Sequence, residues 1–315
     1  MKRLATTLAA IAALTATSLF AIELPGRYDV TEKLPAGYDR PIEKHGRVEE
    51  IAYATPGGEK NAFVYLPYGY DEGDAPYPFF YLMHGGGEDQ TCYFVKDGPS
   101  PLSNILDRLI DEGKLAPIIV VAPSFYPKER DSVGFAELGA LTRNFPEELT
   151  RDLMPVVEKK YRSFAGDASD ALLKATRDKR GFGGFSMGAE TTWNVFLQKQ
   201  DYFRYFVPIS GDSWIIETRG GQTASDKTAE KLAESIAATG HTPDDFAICA
   251  ITGNQDIAFE PMNGLIEAMT KRDEFRVGEN LFYGLMADGK HWHGDVRIYL
   301  YTVLPKIWPA RSEAE

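Results

Sequence analysis

The stretch that decides the fold is GFGGFSMG, residues 181–188, in which Gly184, Ser186 and Gly188 alternate. A short apolar pattern ends at the serine, and the helical pattern MGAETTWNVFLQKQ follows it. A turn from strand to helix this tight has room only for small residues beside the serine, and it leaves the hydroxyl exposed at the start of the helix. The pattern therefore predicts a nucleophilic serine; the alternative is a glycine-rich turn without chemistry.

The rest of the chain alternates short apolar runs with amphipathic stretches, which is typical of a mostly parallel sheet with helices on both faces. Helical patterns cover residues 103–113, 147–161 and 225–240, the last with Ser225 or Asp226 as N-cap and Gly240 as its stop. Residues 124–141 are expected to form a long loop at the carboxyl edge of the sheet, where such folds bind ligands. Eight strands are predicted, the first two as a hairpin, at residues 46–54, 61–67, 77–84, 117–123, 181–186, 205–210, 246–252 and 280–286.

Composition narrows the class of protein. The chain has 315 residues and a net charge of −12, which disfavours binding to nucleic acid. Two basic residues followed by an apolar run make residues 1–21 resemble a secretory signal peptide rather than a membrane anchor. The expectation is a protein exported to the periplasm or the medium, with residues 22–315 as a single domain and residues 22–44 as an extended arm. Cys92 and Cys249 are interpreted as two separate buried thiols, although a single bridge remains open.

Five histidines could supply the base that a serine nucleophile needs. His45 and His241 are interpreted as surface residues. His84 precedes three glycines, an arrangement whose backbone amides face a developing oxyanion, so it is interpreted as a structural turn residue. His291 and His293 follow the last strand, where the order serine, acid, histidine of α/β-hydrolases places the base. A metal pair made of these two is disfavoured because no cysteine or carboxylate cluster lies near them in the sequence.

The carboxylate that orients the histidine is expected after the seventh strand. The run ITGNQDIAFEPMN supplies Asp256 there, directly after a Gly-Asn turn. Asp212, after the sixth strand, and Glu260 are the alternatives, and a buried carboxylate without a catalytic role is the other interpretation of each. Position favours Asp256, and Asp212 is expected to be a pocket or structural residue.

Together these motifs resemble the feruloyl esterases of carbohydrate esterase family 1, especially the esterase domains that accompany bacterial xylanases. The resemblance extends from about residue 43 to residue 308. It implies a secreted α/β-hydrolase that cleaves the ester between ferulic acid and arabinose on xylan. The motifs are VYLPYGYD, YLMHGGGED, NILDRLIDEGKLAPIIVVAPSF, RGFGGFSMGAETTW, PISGDSW, GNQDIAFEPMNGLIEAM and GKHWHGDVRIYLYTVLP.

The same resemblance assigns roles to residues. It implies a catalytic triad of Ser186, Asp256 and His291, and an oxyanion hole made by the backbone amides of Met187 and Gly86. It places Trp214 near the substrate pocket, where a flat ring can stack on a phenolic acid or a sugar, and His293 at the pocket rim. The residues expected to bind substrate are Gly85, Asp212, Trp214, Trp292 and His293.

The sequence thus predicts a secreted serine carboxylesterase acting on feruloylated plant cell-wall polysaccharide or its oligosaccharides, without metal or organic cofactor. An acetylxylan esterase or a general carboxylesterase on the same fold is the alternative. A non-catalytic carbohydrate-binding protein is a third hypothesis, disfavoured because serine, acid and histidine are all present. Residues 124–141 and 218–225 match no family motif, so the acyl preference stays open, as does the oligomeric state.

Overall fold

The computed structural model describes residues 22, 24–127 and 133–310. The proposed signal peptide, residues 1–21, therefore lies outside the described residues. The described chain contains nine strands: β1 (Arg27–Val30), β2 (Arg47–Thr55), β3 (Gly58–Leu66), β4 (Phe79–Met83), β5 (Ile119–Ala122), β6 (Arg180–Phe185), β7 (Tyr205–Ile209), β8 (Ala247–Gly253) and β9 (Leu281–Met286).

These strands form one sheet in the order β1-β9-β8-β7-β6-β4-β5-β3-β2. The strands from β4 to β9 and β1 run parallel to their neighbours, whereas β2 and β3 form an antiparallel hairpin and β3 pairs antiparallel with β5. The α/β class, the mostly parallel sheet and the hairpin are thereby confirmed. The parallel arrangement brings the carboxyl ends of β6, β7, β8 and β9 to one edge.

The sheet has one strand more than the sequence predicts. Within the expected extended arm, Arg27–Val30 forms β1 and pairs in parallel with β9, where Tyr28 lies opposite Gly284. Only Val30 of this strand is buried, so the short run carries little of the apolar pattern that identifies a strand. The arm is therefore partly an edge strand, held by main-chain hydrogen bonds to a segment far away in the chain.

The described chain contains nine α-helices, and a π-helical turn at Leu149–Leu153 joins α2 to α3. They are α1 (Pro101–Asp111), α2 (Phe135–Glu148), α3 (Met154–Lys160), α4 (Asp170–Ala175), α5 (Met187–Gln198), α6 (Gly220–Thr223), α7 (Ser225–Thr239), α8 (Phe259–Met269) and α9 (His293–Ile307). None of the helices within residues 22–127 and 133–310 is both long and apolar enough to cross a lipid bilayer.

Helix boundaries show where sequence patterns were sufficient. The predicted stop of α7 at Gly240 is confirmed, since this glycine has a φ of 75° that few other residues adopt. The predicted loop at residues 124–141 is wrong over its second part, because α2 begins at Phe135. The predicted helix at 147–161 is interrupted by the π turn, which ends two residues before Pro155, a residue that lacks an amide hydrogen for the regular pattern.

Helices cover both faces of the sheet. α1 and α9 contribute to one apolar core, and α2, α3, α5, α7 and α8 contribute to the other. β6 lies between them with all six of its residues buried. Its glycines make room for large rings, since a Cβ on Gly181 would lie 2.8 Å from the Trp308 ring and one on Gly183 would lie 2.7 Å from the Phe80 ring. The glycine-rich run is therefore a central strand, which ends at the candidate nucleophile.

Candidate active site

Ser186 lies in the sharp turn between β6 and α5. Its backbone has φ 56° and ψ −112°, a strained conformation for a residue with a side chain. A Cβ on Gly184 would lie 2.6 Å from the Gly188 carbonyl oxygen, and one on Gly188 would lie 2.4 Å from the Met83 carbonyl oxygen. Both glycines are thus required by close backbone packing, as the sequence pattern predicts.

Three predicted site residues meet at the carboxyl edge of the sheet. His291 Nε2 lies 2.9 Å from Ser186 Oγ, and His291 Nδ1 lies 2.7 Å from Asp256 Oδ1. The Asp256 side chain is fully buried, whereas 21% of the His291 side chain is exposed. The ring of Phe185 packs against the imidazole with their centroids 4.5 Å apart. The arrangement joins a hydroxyl, an imidazole and a carboxylate in one hydrogen-bonded chain.

A close approach of two loops brings the acid to the histidine. A Cβ on Gly253, at the end of β8, would lie 2.2 Å from the Gly289 carbonyl oxygen, so the two loops touch through backbone. The amide of Gln255 donates to the same oxygen at 3.0 Å. The Asp256 carboxylate also accepts the amide of Ala258 at 2.8 Å, which fixes its orientation. The order of strands β8 and β9 therefore determines that Asp256 meets His291.

Met187 and Gly86, whose backbone amides are predicted to form the oxyanion hole, line the same cleft as Ser186. Met187 is the first residue of α5, so its amide has no carbonyl partner within the helix. Gly86 packs against Met187, and a Cβ on Gly86 would lie 3.1 Å from Met187 Cγ. His84 is fully buried, with its ring nitrogens bonded to Gly85 O and Ser124 Oγ at 2.7 and 2.8 Å. The interpretation of His84 as a structural turn residue is confirmed.

A cleft of about 550 Å³ opens in front of Ser186 and His291. It is lined mainly by apolar groups, among them Leu138 from α2 and Pro261 from α8. Trp214 lines it as predicted, and so does Asp212. Because Leu138 belongs to the segment that sequence patterns left as a loop, this part of the wall is visible only in the folded chain.

Asp212 does not bond to His291. Its carboxylate accepts the Trp214 indole N–H at 3.1 Å and the Gly221 amide at 2.8 Å. Burial raises the pKa of this carboxyl, against the two hydrogen bonds that favour its charged form. Asp212 therefore holds Trp214 and the 218–221 segment in place, which is the pocket or structural role expected of it. Glu260, the third candidate acid, is exposed on α8.

The remaining predicted substrate-binding residues lie outside the cleft wall. Trp292 is 59% exposed beside His291, and its indole lies over Gly294, where an added Cβ would come within 2.4 Å of the ring. His293 points away, with Nε2 2.5 Å from Glu88 Oε1. The amide of Gly85 donates to the other Glu88 oxygen at 2.8 Å. His293 and Gly85 thus support the loops on either side of the serine instead of lining its cleft.

Sequence patterns did not single out Glu190, which lines the cleft one turn into α5. This side chain is 1% exposed, and its Oε2 has no hydrogen-bond partner in the described structure. Burial raises its pKa to about 7, although the hydrogen bond from Asn194 to the other oxygen and the nearby Thr142 hydroxyl act in the opposite direction. The available signal was an acidic residue within an otherwise buried helix, where a carboxyl group is rare.

The other histidines and the cysteines lie away from the serine. His45 is exposed, as expected of a surface residue, and His241 is partly buried with Nε2 3.0 Å from Asp201. Cys92 and Cys249 are both free, which confirms two separate thiols. Cys249 is buried in β8, but Cys92 is partly exposed, so the expectation that both are buried is wrong for Cys92.

Comparisons with known proteins agree with this fold. The family model named Esterase, described as "Putative esterase", matches residues 54–272. Endo-1,4-beta-xylanase Y of Acetivibrio thermocellus is 40% identical over 276 residues, which cover 86% of this chain and 24% of that protein. Endo-1,4-beta-xylanase/feruloyl esterase of Xylanibacter ruminicola is 32% identical over 180 residues, which cover 55% of this chain and 23% of that protein. The chain spans about a quarter of the length of these curated relatives.

Two solved structures share the architecture. A mutant of the feruloyl esterase module from Clostridium thermocellum, complexed with sinapinate, is 35% identical with a TM-score of 0.80, covering 92% of this chain and 97% of that one. A CE1 ferulic acid esterase from Anaeromyces mucronatus is 20% identical with a TM-score of 0.68, covering 88% of this chain and 97% of that one, and shows the fold alone.

The nine-stranded sheet with helices on both faces is an α/β esterase fold. Since its model matches well over half of the chain, the protein belongs to the Esterase family.

Proposed function

We propose that the protein is a serine esterase that hydrolyses feruloyl and related hydroxycinnamoyl esters of arabinoxylan-type polysaccharide. The observation that carries the proposal is the hydrogen-bonded chain Ser186, His291, Asp256 at the base of an apolar cleft. The names of three similar proteins support this substrate class: a xylanase, a xylanase/feruloyl esterase and a feruloyl esterase module. Export through residues 1–21, with secretion of the remaining chain as one domain, is part of the same proposal.

The reaction proceeds in two acyl-transfer steps. His291 Nε2 accepts the Ser186 proton while Oγ attacks the ester carbonyl, and Asp256 holds the ring with its Nδ1 proton toward the carboxylate. The amides of Met187 and Gly86 donate to the oxyanion. Collapse of the tetrahedral intermediate breaks the ester bond, and the sugar hydroxyl leaves with the proton from His291. Water, deprotonated by His291, then attacks the acyl-enzyme and releases the carboxylic acid and Ser186.

The shape of the cleft favours an aromatic acyl group over acetyl. An acetyl group fills only a small part of about 550 Å³. The Trp214 ring at the wall is fixed by its hydrogen bond to Asp212, so it offers a flat surface for stacking. Glu190 and Asp212 supply the few polar groups among apolar ones that orient a ligand in such sites.

The sugar part of the substrate is expected to bind at the exposed surface beside His291. Trp292 keeps a flat, exposed face because its ring is packed on Gly294. Tryptophan rings combine an apolar face with a polar N–H, which suits a sugar surface. The leaving arabinose and its xylan chain would therefore contact Trp292 while the acyl group occupies the cleft.

A substrate panel with one matched variant tests the acyl preference. We expect a higher kcat/KM on methyl ferulate than on acetylated xylan. Trp214→Ala should lower kcat/KM about tenfold on methyl ferulate, by loss of ring stacking, and leave hydrolysis of an aryl acetate nearly unchanged. A wild-type enzyme that prefers acetylated xylan would instead identify an acetylxylan esterase. Equal losses of kcat/KM on both substrates would show that Trp214 stabilises the site as a whole and would contradict its role in acyl selection.

A further inference from the structure

A second group of reactive side chains lies next to Phe185, the residue before the serine. The Phe185 ring contacts both histidines of the last loop, with ring centroids 4.5 Å from His291 and 5.2 Å from His293. Around His293 lie Glu88, from the loop after β4, and Cys92, at the end of the short helical turn Gln90–Cys92. One ligand atom from each of the three side chains lies within 4.8 Å of the others.

The chemistry of these donors is specific. An imidazole, a thiolate and a carboxylate together are the ligands of tetrahedral zinc sites, and three protein ligands leave a fourth position for water. The thiolate disfavours Mg²⁺ and Ca²⁺, which take oxygen ligands. We propose that Glu88, Cys92 and His293 form a binding site for one Zn²⁺ ion or a similar divalent transition metal.

The surroundings of the donors support the proposal. The side chains of Glu88 and His293 are 27% and 24% exposed and Cys92 is partly exposed, so an ion can reach all three from solvent. One Glu88 oxygen is held by the Gly85 amide at 2.8 Å, an outer contact of the kind that orients ligands in metal sites. The other lies 2.5 Å from His293 Nε2.

Metal binding changes this last contact in a defined way. Without an ion, Glu88 Oε1 and His293 Nε2 lie within hydrogen-bond distance of each other. Two ligands at tetrahedral positions are about 3.3 Å apart, so a bound ion replaces this hydrogen bond and moves the two atoms apart by somewhat less than 1 Å. Cys92 releases its thiol proton to become a ligand. The nearby charges are those of Glu88, Asp89 and Arg297, which leave the site negative before the ion binds.

The sequence could not indicate this site, because Glu88 and His293 are 205 residues apart. A bound ion would connect the loop that holds Gly85 and Gly86 to the start of α9, two residues after His291. The site does not depend on the proposed ester hydrolysis. It can exist in a protein of any substrate preference.

Metal titration of the full chain, first made metal-free, tests the site without measuring activity. We expect one Zn²⁺ per chain by calorimetry, a higher Tm with Zn²⁺, and a thiolate-to-metal charge-transfer absorption with Co²⁺. Cys92→Ser should abolish the Co²⁺ absorption and weaken Zn²⁺ binding by at least about tenfold. Cys249→Ser is the matched control, because that thiol is fully buried in β8; it should keep both signals.

A second variant keeps the test valid if Cys92→Ser fails to fold. His293→Gln should weaken Zn²⁺ binding similarly while its folded state is checked by circular dichroism. The proposal is overturned if the wild type binds no stoichiometric ion, or if the Co²⁺ absorption survives Cys92→Ser. Loss of the absorption in Cys249→Ser alone would overturn it as well. Because every readout is binding, failure here leaves the proposed esterase function untouched, and the reverse also holds.

Discussion

The two ends of β6 hold buried carboxylates in opposite ways. At the amino end, Arg180 donates two hydrogen bonds to Glu158, at 2.5 and 2.7 Å, and both side chains are at most 1% exposed. Tyr81 also donates to Glu158, at 2.9 Å. At the carboxyl end, beyond Ser186, the buried Glu190 has no ion-pair partner among the described residues, and one of its oxygens has no hydrogen-bond partner.

The two ends of β6 therefore differ in role: one end fixes the packing of the fold, and the other holds the reactive groups. A buried charge that is fully paired fixes the packing around it, because removing either partner leaves the other unsatisfied. A strained serine and an unpaired carboxyl group cost stability, and such features persist where the site uses them. The amino end of β6 therefore supports the fold, and the carboxyl end is available for the reaction.

The largest effect on activity is expected at the carboxyl end of β6, where Ser186 lies. Ser186→Ala should fold normally and lower kcat on esters by about 10⁴-fold or more, because no nucleophile remains beside His291. Hydrolysis of methyl ferulate and of an aryl acetate by purified protein measures this. Ser235→Ala is the control, since it removes a buried serine hydroxyl from α7, far from the site. Wild-type activity in Ser186→Ala would refute the proposed triad.

The next largest effect is expected at the paired end. Arg180→Met should lower the free energy of unfolding by about 3–5 kcal/mol, because Glu158 would remain buried without its partner. Urea unfolding gives the value, and the activity per folded molecule should stay near wild type. Arg276→Met breaks an exposed pair with Asp244 and should change stability little. An equal loss in the free energy of unfolding for the two substitutions would show that the buried ion pair is no more important to stability than the exposed one.

The raised pKa of Glu190 predicts that the free energy of unfolding depends on pH. Its pKa is raised from 4.5 to about 7 by burial and by the charge of Asp212, against Thr142, Asn194 and Arg143, so the folded protein keeps a proton that the unfolded chain releases. Stability is therefore lost as the pH rises from about 4.5 to about 7, by about 3 kcal/mol in total. Glu190→Gln lacks this loss.

Unfolding of wild type and Glu190→Gln across this pH range provides the measurement. We expect the variant to gain relative stability with rising pH and to match the wild type most closely below pH 4.5. Glu260→Gln changes an exposed carboxyl on α8 and should follow the wild-type profile. A constant difference between Glu190→Gln and wild type at all pH values would show that the pKa of Glu190 is the same in the folded and unfolded states.

The smallest effect concerns the glycines of the turn. Gly188→Ala places a methyl group 2.4 Å from the Met83 carbonyl oxygen, so α5 must shift away from β4. A loss of about 1–3 kcal/mol is expected from this overpacking, together with a lower kcat as Ser186 moves. Gly73→Ala, with nothing within 4 Å of its added Cβ, serves as the control in the same unfolding and activity assays. Wild-type kcat in Gly188→Ala would show that the turn tolerates the shift.

Much of the sheet and the site could be predicted because the patterns are local. The eight predicted strands all occur, and the run around Ser186 places a serine between a buried strand and a helix, as its glycines indicated. β1 was missed because its pairing partner is β9, at the other end of the chain, and only Val30 shows an apolar signal. The start of α2 was missed because glycines and charged residues weaken the helical pattern there.

The sequence by itself determined which residues could react. Ser186, Asp256 and His291 follow the carboxyl ends of β6, β8 and β9 in the hydrolase order, and the strand and turn patterns that locate them depend on neighbours in the chain. Only the tertiary structure decided which groups meet. In the folded chain, Asp212 bonds to Trp214 and Asp256 bonds to His291. His293 lies beside Glu88 and Cys92. These contacts depend on strand order and loop packing, and residues 205 positions apart carry no local signal of their distance.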